Sequence, residues 1–537
     1  MKMPMQSSAS SEINTNVVVI GGGHNGLVAS CYLAKAGHNV VVVEAQKNVG
    51  GMTASGPFIK SAPKHIIHPC AVDAIFIRTS SIIEDLDLRK HGFITVDPNP
   101  SYAYLSPEGE SIAFWSDPSK TADEIRRYSP SDARAYLEFA NTLEALLGVA
   151  LPMMRSDPRR PSIREVFRSL RSLTSHRKRL GEIGALALGT ADQAVCERFD
   201  HPFVIAALLG LAGGAGPIDA DGSGLAHIIV ALLHRVGVGR PVGGMQSLAE
   251  SLKKRLYEGG GSVLTGTPVE EILVTKGHAE GVRLADGRII KADSVLAACD
   301  PRTALGSLLP DGAIDRRMKA RVDHIPANAR GAAPMKIDLA LKGRVQISKH
   351  QKLRKDGVDL RVPALIIGTA EEIRSSFANS MRGELTPGLY YWAAVPTACD
   401  PSQAPDGQDV LYLYPPAVPA YPAEGWQSLR KKAENIIMSE AMLYFDNLDS
   451  LEIGRWVETP KDLCERTGAV NGCVTHVDFA LLRSGPLRPA WGLGGYVTPV
   501  KGLFLGAAGS HPGGAVSGLP GKLASARVIR YLARCSR

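Results

Sequence analysis

The sequence predicts an α/β fold in two parts: a parallel-sheet domain gathered from separated stretches of chain, and a second domain of mixed α+β structure. Three observations predict it. A strand, a glycine-rich turn, a helix and a second strand open the chain; a helix and a β-meander that read as the same sheet come in the middle; a last strand, glycine-rich turn and helix close it. The 537 residues, 45% hydrophobic and 21% charged, are enough for two such cores.

The first strand, residues 16–20, is a continuous β-branched run, as expected for a parallel strand buried on both faces. Gly21, Gly23 and Gly26 follow at G-x-G-x-x-G spacing. The first permits the tight turn, the second lets the backbone approach a pyrophosphate, and the third lets the next helix lie against the strand. Residues 24–36 carry Leu27, Cys31 and Ala34 at helical spacing and stop at Gly37. Residues 39–43 form the second strand and end at Glu44, where an acid can accept hydrogen bonds from both ribose hydroxyls of an adenosine. All four parts stand in register, so a Rossmann-like dinucleotide site is expected. Gly50 and Gly51 come next, a second glycine pair that FAD needs and a plain NAD-binding unit does not, because the isoalloxazine ring must pass the backbone there.

In the middle, Gly243 and Gly244 open a helix containing Leu248, Leu252 and Leu256. Strands are expected around Val263 and at residues 269–274, 281–284, 289–292 and 295–298, with Asp286-Gly287 as the hairpin signal. At the end, residues 503–506 read as a buried strand, 509–514 as a glycine-rich turn, and Val516 as the start of a helix. A helix start carries roughly half a positive charge and free amides, which would stabilise an anionic reduced flavin at N1 and the C2 carbonyl.

Between these pieces, residues 74–238 read as mostly helical, with breaks at DPNP, YSPSD and SDPRRPS. Residues 334–478 contain the strand-like stretches MKIDLALKG, GLYYWAAV and DVLYLYPPAV. In the last, Leu411 and Leu413 alternate with Tyr412 and Tyr414, the pattern of a sheet with two different faces that could roof a pocket over the flavin. The expected division is residues 1–75, 239–330 and 480–537 for a discontinuous FAD-binding domain, and 76–238 and 331–479 for a substrate domain with a helical cap.

A net charge of +8 favours anionic ligands or surfaces, but no basic run resembles a nucleic-acid-binding tail, and no nucleic-acid partner is expected. The eight cysteines are dispersed, without a C-x-x-C pair or a histidine at finger spacing; they read as reduced structural thiols, with no metal site. The polar, Ser-rich start has no apolar core, and no window holds the roughly 20 uninterrupted apolar residues that span a bilayer. The simplest location is cytoplasmic, with association to a membrane surface open.

The set GGGHNG, the VGG after Glu44, GRPVGGMQSL, ADSVLAACDP and GSHPGGAVSGLPG resembles the phytoene-desaturase-like branch of the FAD-dependent amine oxidase and desaturase superfamily, from about Asn14 to the end of the chain. The resemblance implies a two-domain fold like that of p-hydroxybenzoate hydroxylase, with FAD as cofactor. It also implies roles: Gly21, Gly23, Gly26 and Glu44 hold the ADP half, Gly50 and Gly51 lie beside the ribityl and ring, Val269 offers backbone contacts to adenine, and residues 511–516 face the isoalloxazine. Two departures stand out. Gly509-Ser510 occupies the place where many relatives have an Asp for the ribityl, and Ala515, after Gly513 and Gly514 and before Val516, stands where many have a third glycine. The implied activity is a dehydrogenase or oxidase that passes a hydride from a hydrophobic or partly aromatic molecule to flavin N5. C–C desaturation and C–N or C–O oxidation fit equally. A redox-neutral flavin isomerase and a lipid-binding escort of the GDP dissociation inhibitor type are the alternatives. Oxygen, a quinone or another protein stay open as electron acceptor, as does a homo-oligomer.

His511, in the turn expected beneath the flavin, is the candidate to take or relay a substrate proton. His65 and His68 could share a helical face; structural packing is the first reading, lining a pocket the second, and binding metal the last, because no carboxylate or third ligand sits at useful spacing. Tyr390, Tyr391 and Trp392 could form an aromatic wall, with core packing at least as well supported, and Arg483 and Arg488 could hold an anionic group, with a surface salt bridge as the more ordinary reading. In residues 154–180 a helix opened by Pro161 would carry an apolar stripe of Ile163, Val166, Phe167, Leu170 and Leu173 flanked by Arg164, Arg168 and Arg171. Its stripe is expected to pack on the core as a cap; peripheral contact with anionic lipid is the other reading.

Overall fold

Seven strands drawn from three distant stretches of chain make one sheet in the computed structural model, which describes residues 12–535. The polar start of the chain, residues 1–11, lies outside the described residues. At the centre Glu12–Ile20 runs parallel to Val40–Val43 on one side and to Ile289–Ala297 on the other. Ser262–Leu264 extends the sheet beyond Val40–Val43. Along its other edge, Ile289–Ala297 pairs antiparallel with His278–Leu284 at its start and parallel with Leu503–Leu505 at its end. Val17, Val18, Val19, Val40 and Val42 are fully buried, which is what their unbroken β-branched runs require. Helices His24–Lys35, Gln246–Glu258 and Leu519–Cys535 cover one face through Leu27, Val28, Cys31, Leu248, Leu252, Ala524 and Val528.

Several boundaries differ from the sequence reading, two of them for a reason visible in the fold. The strands expected at 289–292 and 295–298 are one, because pairing on both edges carries the ladder past the solvent-facing Lys291 and Asp293. The last helix begins at Leu519 rather than Val516, because Ala515 (φ +70°) and Gly518 (φ +68°) hold the chain in left-handed backbone until then.

The second sheet also has seven strands, in the order Glu452–Glu458, Lys336–Leu341, Asp409–Tyr414, Tyr391–Ala394, Ala364–Ile367, Tyr102–Leu105 and Ser111–Phe114. The last two lie in the region that reads as helical. The turn signal Ser106-Pro-Glu-Gly109 between two short alternating runs marks the hairpin, and helical periodicity in the neighbouring segments masks it. The two faces expected from Leu411 to Tyr414 are present. Leu411 and Leu413 pack with Leu429, Ala433 and Ile437 of helix Trp426–Met442; Tyr412 and Tyr414 look the other way, toward a helical layer that includes Pro130–Met154 and Pro202–Gly213. Helix Pro130–Met154 alone among the described residues is long and apolar enough to cross a membrane, at a mean hydropathy of 1.2. It buries Phe139, Leu143, Leu147 and Leu151 in the core under this sheet and contains Pro152, as a core helix would.

Candidate active site

The three glycines of the first turn are needed for three different reasons. Gly21 has φ +102°, left-handed backbone that admits the turn. A Cβ on Gly26 would fall 2.1 Å from the Gly21 carbonyl oxygen, so only glycine lets the helix approach the strand. A Cβ on Gly23 would meet no protein atom within 4 Å: the space in front of it is open to a ligand. Gly50 pairs with this loop, its amide donating to the Gly22 carbonyl (2.9 Å), and Gly51 backs onto Gly23. Glu44 accepts from the Gly22 amide (2.7 Å) and the Gln46 amide (2.8 Å), and burial raises its pKa. The Thr267 amide lies against the Glu44 carbonyl (3.4 Å), which brings Val269, at the start of the next strand, to the same end of the sheet.

The terminal turn closes on this loop. Gly521 stacks on the Asn25 carbonyl so tightly that a Cβ would fall 2.0 Å from it, and His24 lies against the Ala515 backbone. Gly509 packs on Pro301 and Gly514 on Thr475. The Ser510 amide bonds the Ala507 carbonyl (2.9 Å), and Gly513 (φ +128°) and Ala515 (φ +70°) carry the chain round to Val516. His511 is buried, donates Nε2–H to the Met153 carbonyl (3.1 Å), and leaves Nδ1 with no hydrogen-bond partner among the described residues. Burial pushes its pKa down to about 4, so it is neutral.

A buried charged cluster that the sequence reading missed lies on the second sheet and reaches toward the first glycine turn. Lys336 Nζ sits 3.4 Å from the ring centroid of Tyr412 and 2.7 Å from Asp338 Oδ1, and the Tyr412 hydroxyl donates to the Cys70 carbonyl (2.8 Å). Glu458 faces Lys336 across the sheet and pairs with Arg466 (2.5 Å), whose other nitrogen donates to the Gly51 carbonyl (3.2 Å). The cluster therefore reaches the second glycine pair. Burial pushes Lys336 down to about 8; burial likewise raises Asp338, to about 6, against the pull of the Lys336 ammonium. The available signal was two charges at alternate positions of the apolar strand MKIDLAL, which put both on one face.

Other candidates fall differently. Residues 61–70 are irregular rather than helical, so His65 and His68 share no helical face; His68 meets Gln403 (2.8 Å). Tyr390 and Trp392 both donate to the Gly210 carbonyl, but Tyr391 lies on the opposite face against Tyr444, so the three do not form one wall, since strand neighbours alternate sides. The two terminal nitrogens of Arg488 donate to backbone carbonyls of Thr475, Val477, Asp478, Arg483 and Ala508, while its buried Nε has no hydrogen-bond partner among the described residues, so the guanidinium braces these loops.

The family model for flavin containing amine oxidoreductases matches residues 26–327, more than half of the chain. The chain belongs to this family. It is 25% identical to one of the limonene dehydrogenase subunits of Castellaniella defragrans over 94% of this chain and 92% of that one. It is 24% identical to a ζ-carotene-forming phytoene desaturase of Myxococcus xanthus over 96% and 92%. A triple variant of putrescine oxidase shares the fold, with a TM-score of 0.61, 16% identity, and coverage of 98% and 100%. The protein is thus a phytoene-desaturase-like FAD-dependent oxidoreductase with the expected two-domain α/β flavoprotein fold, and the isomerase and escort readings are not favoured.

The residues present fit FAD. Besides the open cradle at Gly23, His24 Nε2 and Asn25 Oδ1 are buried with no hydrogen-bond partner among the described residues, at the head of a helix whose first turn contains no acid. Glu44→Ala is expected to weaken FAD by about 1 to 3 kcal/mol, the loss of charge-assisted bonds to ribose, in titrations of the apo-protein. Unchanged affinity would reduce Glu44 to a brace for Gly22 and Gln46.

Proposed function

We propose that the protein removes a hydride from a neutral, lipophilic molecule in a C–C desaturation. The observation that carries this reading is the buried Lys336 on the aromatic face of the second sheet: its neutral amine is a base set beside the apolar rings of Tyr412 and Tyr414, surroundings that suit a hydrocarbon better than a charged substrate. The full-length match to two enzymes named for hydrocarbon dehydrogenation supports it. Bound FAD supplies a two-electron acceptor at N5. In this reading Gly21, Gly23, Gly26 and Glu44 hold its ADP half, Val269 meets adenine through its backbone, Gly50 and Gly51 lie beside the ribityl and ring, Gly509 and Ser510 stand at the ribityl, and residues 511–516 face the isoalloxazine. The division into residues 1–75, 239–330 and 480–537 against 76–238 and 331–479 is proposed with it, supported by the membership of the two sheets.

Lys336 takes the proton released with the hydride. A pKa near 8 leaves a useful neutral fraction at working pH, and Asp338 stabilises the ammonium that forms. His511, whose pKa near 4 makes it a poor base, is a positioning residue that ties the terminal turn to the end of helix Pro130–Met154. His511→Ala is expected to slow flavin reduction by substrate roughly 10²-fold with FAD still bound, and His511→Gln, whose amide can donate to Met153, to recover most of it. If glutamine is as slow as alanine and the pH profile changes, His511 moves the proton itself.

The activity is tested by mixing FAD-loaded enzyme anaerobically with amines, alcohols and polyenes and following the flavin absorbance. Bleaching by polyenes or cyclic hydrocarbons is expected; bleaching by amines alone would overturn the proposal.

A further inference from the structure

Helix Ile163–Ser175 is built with its polar side inward. Ser169 is buried and bonds the Val149 carbonyl (3.0 Å), and Ser172 packs on Gly148, while Val166 and Leu173 are half-buried. Outward, at one helical stripe, stand Ile163 (89% exposed), Phe167 (66%) and Leu170 (54%). This reverses the expected cap, in which the stripe packs on the core: helix Pro130–Met154 presents backbone and Gly148 at the contact, and serines fit that close approach better than leucines. Met153, Leu180 and Leu188 are also exposed in the same run of chain.

Its surroundings are cationic. Residues 154–180 contain nine Lys and Arg but only Asp157 and Glu165 as acids, and both acids are already engaged, with Arg527 (2.9 Å) and Arg168 (2.6 Å). An apolar stripe in water, rimmed by arginines with few compensating acids, matches an anionic bilayer: the stripe enters the acyl boundary and the guanidinium groups meet phosphates. A protein partner would have to bring both an apolar groove and a ring of acids.

We infer that helix Ile163–Ser175 docks the enzyme on anionic membrane surfaces. The chain between this helix and the site is short. Met153, at the end of the preceding helix, holds His511 through its carbonyl, so the docked surface lies beside the terminal turn and a lipophilic substrate need not cross water to reach it. That last point rests on the proposed substrate class; docking itself does not.

The test uses FAD-loaded enzyme, without turnover, in co-sedimentation with vesicles of equimolar phosphatidylcholine and phosphatidylglycerol and with vesicles of phosphatidylcholine alone. Expected are binding to the anionic vesicles, release at high salt, and losses of roughly tenfold or more both for Ile163→Ser/Phe167→Ser/Leu170→Ser and for Arg164→Glu/Arg168→Glu/Arg171→Glu. Unchanged flavin absorbance and melting temperature confirm that the variants are folded. Absence of binding at low salt, equal binding to neutral vesicles, or self-association that the serine variant abolishes would each overturn the inference. Docking without bleaching by polyenes would fail the proposed reaction alone, and bleaching without docking would fail this inference alone.

Discussion

Gly23→Val protein is expected to fold and to purify without FAD. Gly23 has φ −70° and ψ 168°, backbone a β-branched residue adopts freely, and its Cβ would touch nothing of the protein. The cost therefore falls on the ligand: the side chain fills the cradle where the pyrophosphate would lie against the helix start. A loss of at least ~10³-fold in affinity, about 4 kcal/mol, is expected. The measurement is the flavin-to-protein ratio of the purified variant, beside the thermal melt of its apo-form. Gly26→Val is the contrasting control, because its Cβ would collide with the Gly21 carbonyl, so it fails by folding. Full flavin occupancy in Gly23→Val would overturn the assignment of the first turn.

Lys336→Met is expected to lower the rate of flavin reduction by substrate roughly 10²- to 10⁴-fold while FAD stays bound. Folding should survive, because Asp338, already raised to about 6, protonates when its cation is gone rather than standing as a buried charge. The sign with pH follows from the direction of the shift. Burial lowers Lys336 to about 8, so the neutral amine accumulates above that pH, and the wild-type rate rises through it. The variant should lose this limb. A normal reductive half-reaction with the limb intact would remove Lys336 from the chemistry, and Lys336→Met/Asp338→Asn separates loss of the amine from any effect of the orphaned acid.

The geometry of the first glycine turn was legible because each of its signals is local: turn, open face and close contact are demanded by Gly21, Gly23 and Gly26 within six residues. The two faces of Asp409–Tyr414 were legible for the same reason, since alternation is a property of neighbours. Lys336 was not. Its partners Asp338, Tyr412 and Glu458 come from three strands, and the Cys70 carbonyl that holds the Tyr412 hydroxyl from a loop, all of which meet only in the fold; a lysine followed by an acid two residues on reads equally well as an exposed edge. The arginine-rich helix was legible as amphipathic, but which side faces inward depends on Gly148 and the Val149 carbonyl of another helix. Hydrophobicity alone pointed the wrong way.

The central strand Glu12–Ile20 has its partner Ile289–Ala297 far along the chain, and the strand that completes the edge, Leu503–Leu505, arrives last. The first sheet thus cannot finish as the chain emerges, because its middle waits for its end. Loop closure of this span must be met before the pairing rewards it, which makes folding slow and leaves Val17 to Ile20 and Val40 to Val43 unpaired along one edge meanwhile. A nascent chain of this kind has most to gain from a chaperone during synthesis. The first glycine turn and the turn at residues 509–516 come together only when helix Leu519–Cys535 docks on helix His24–Lys35, so their shared surface forms only after that late helix is made.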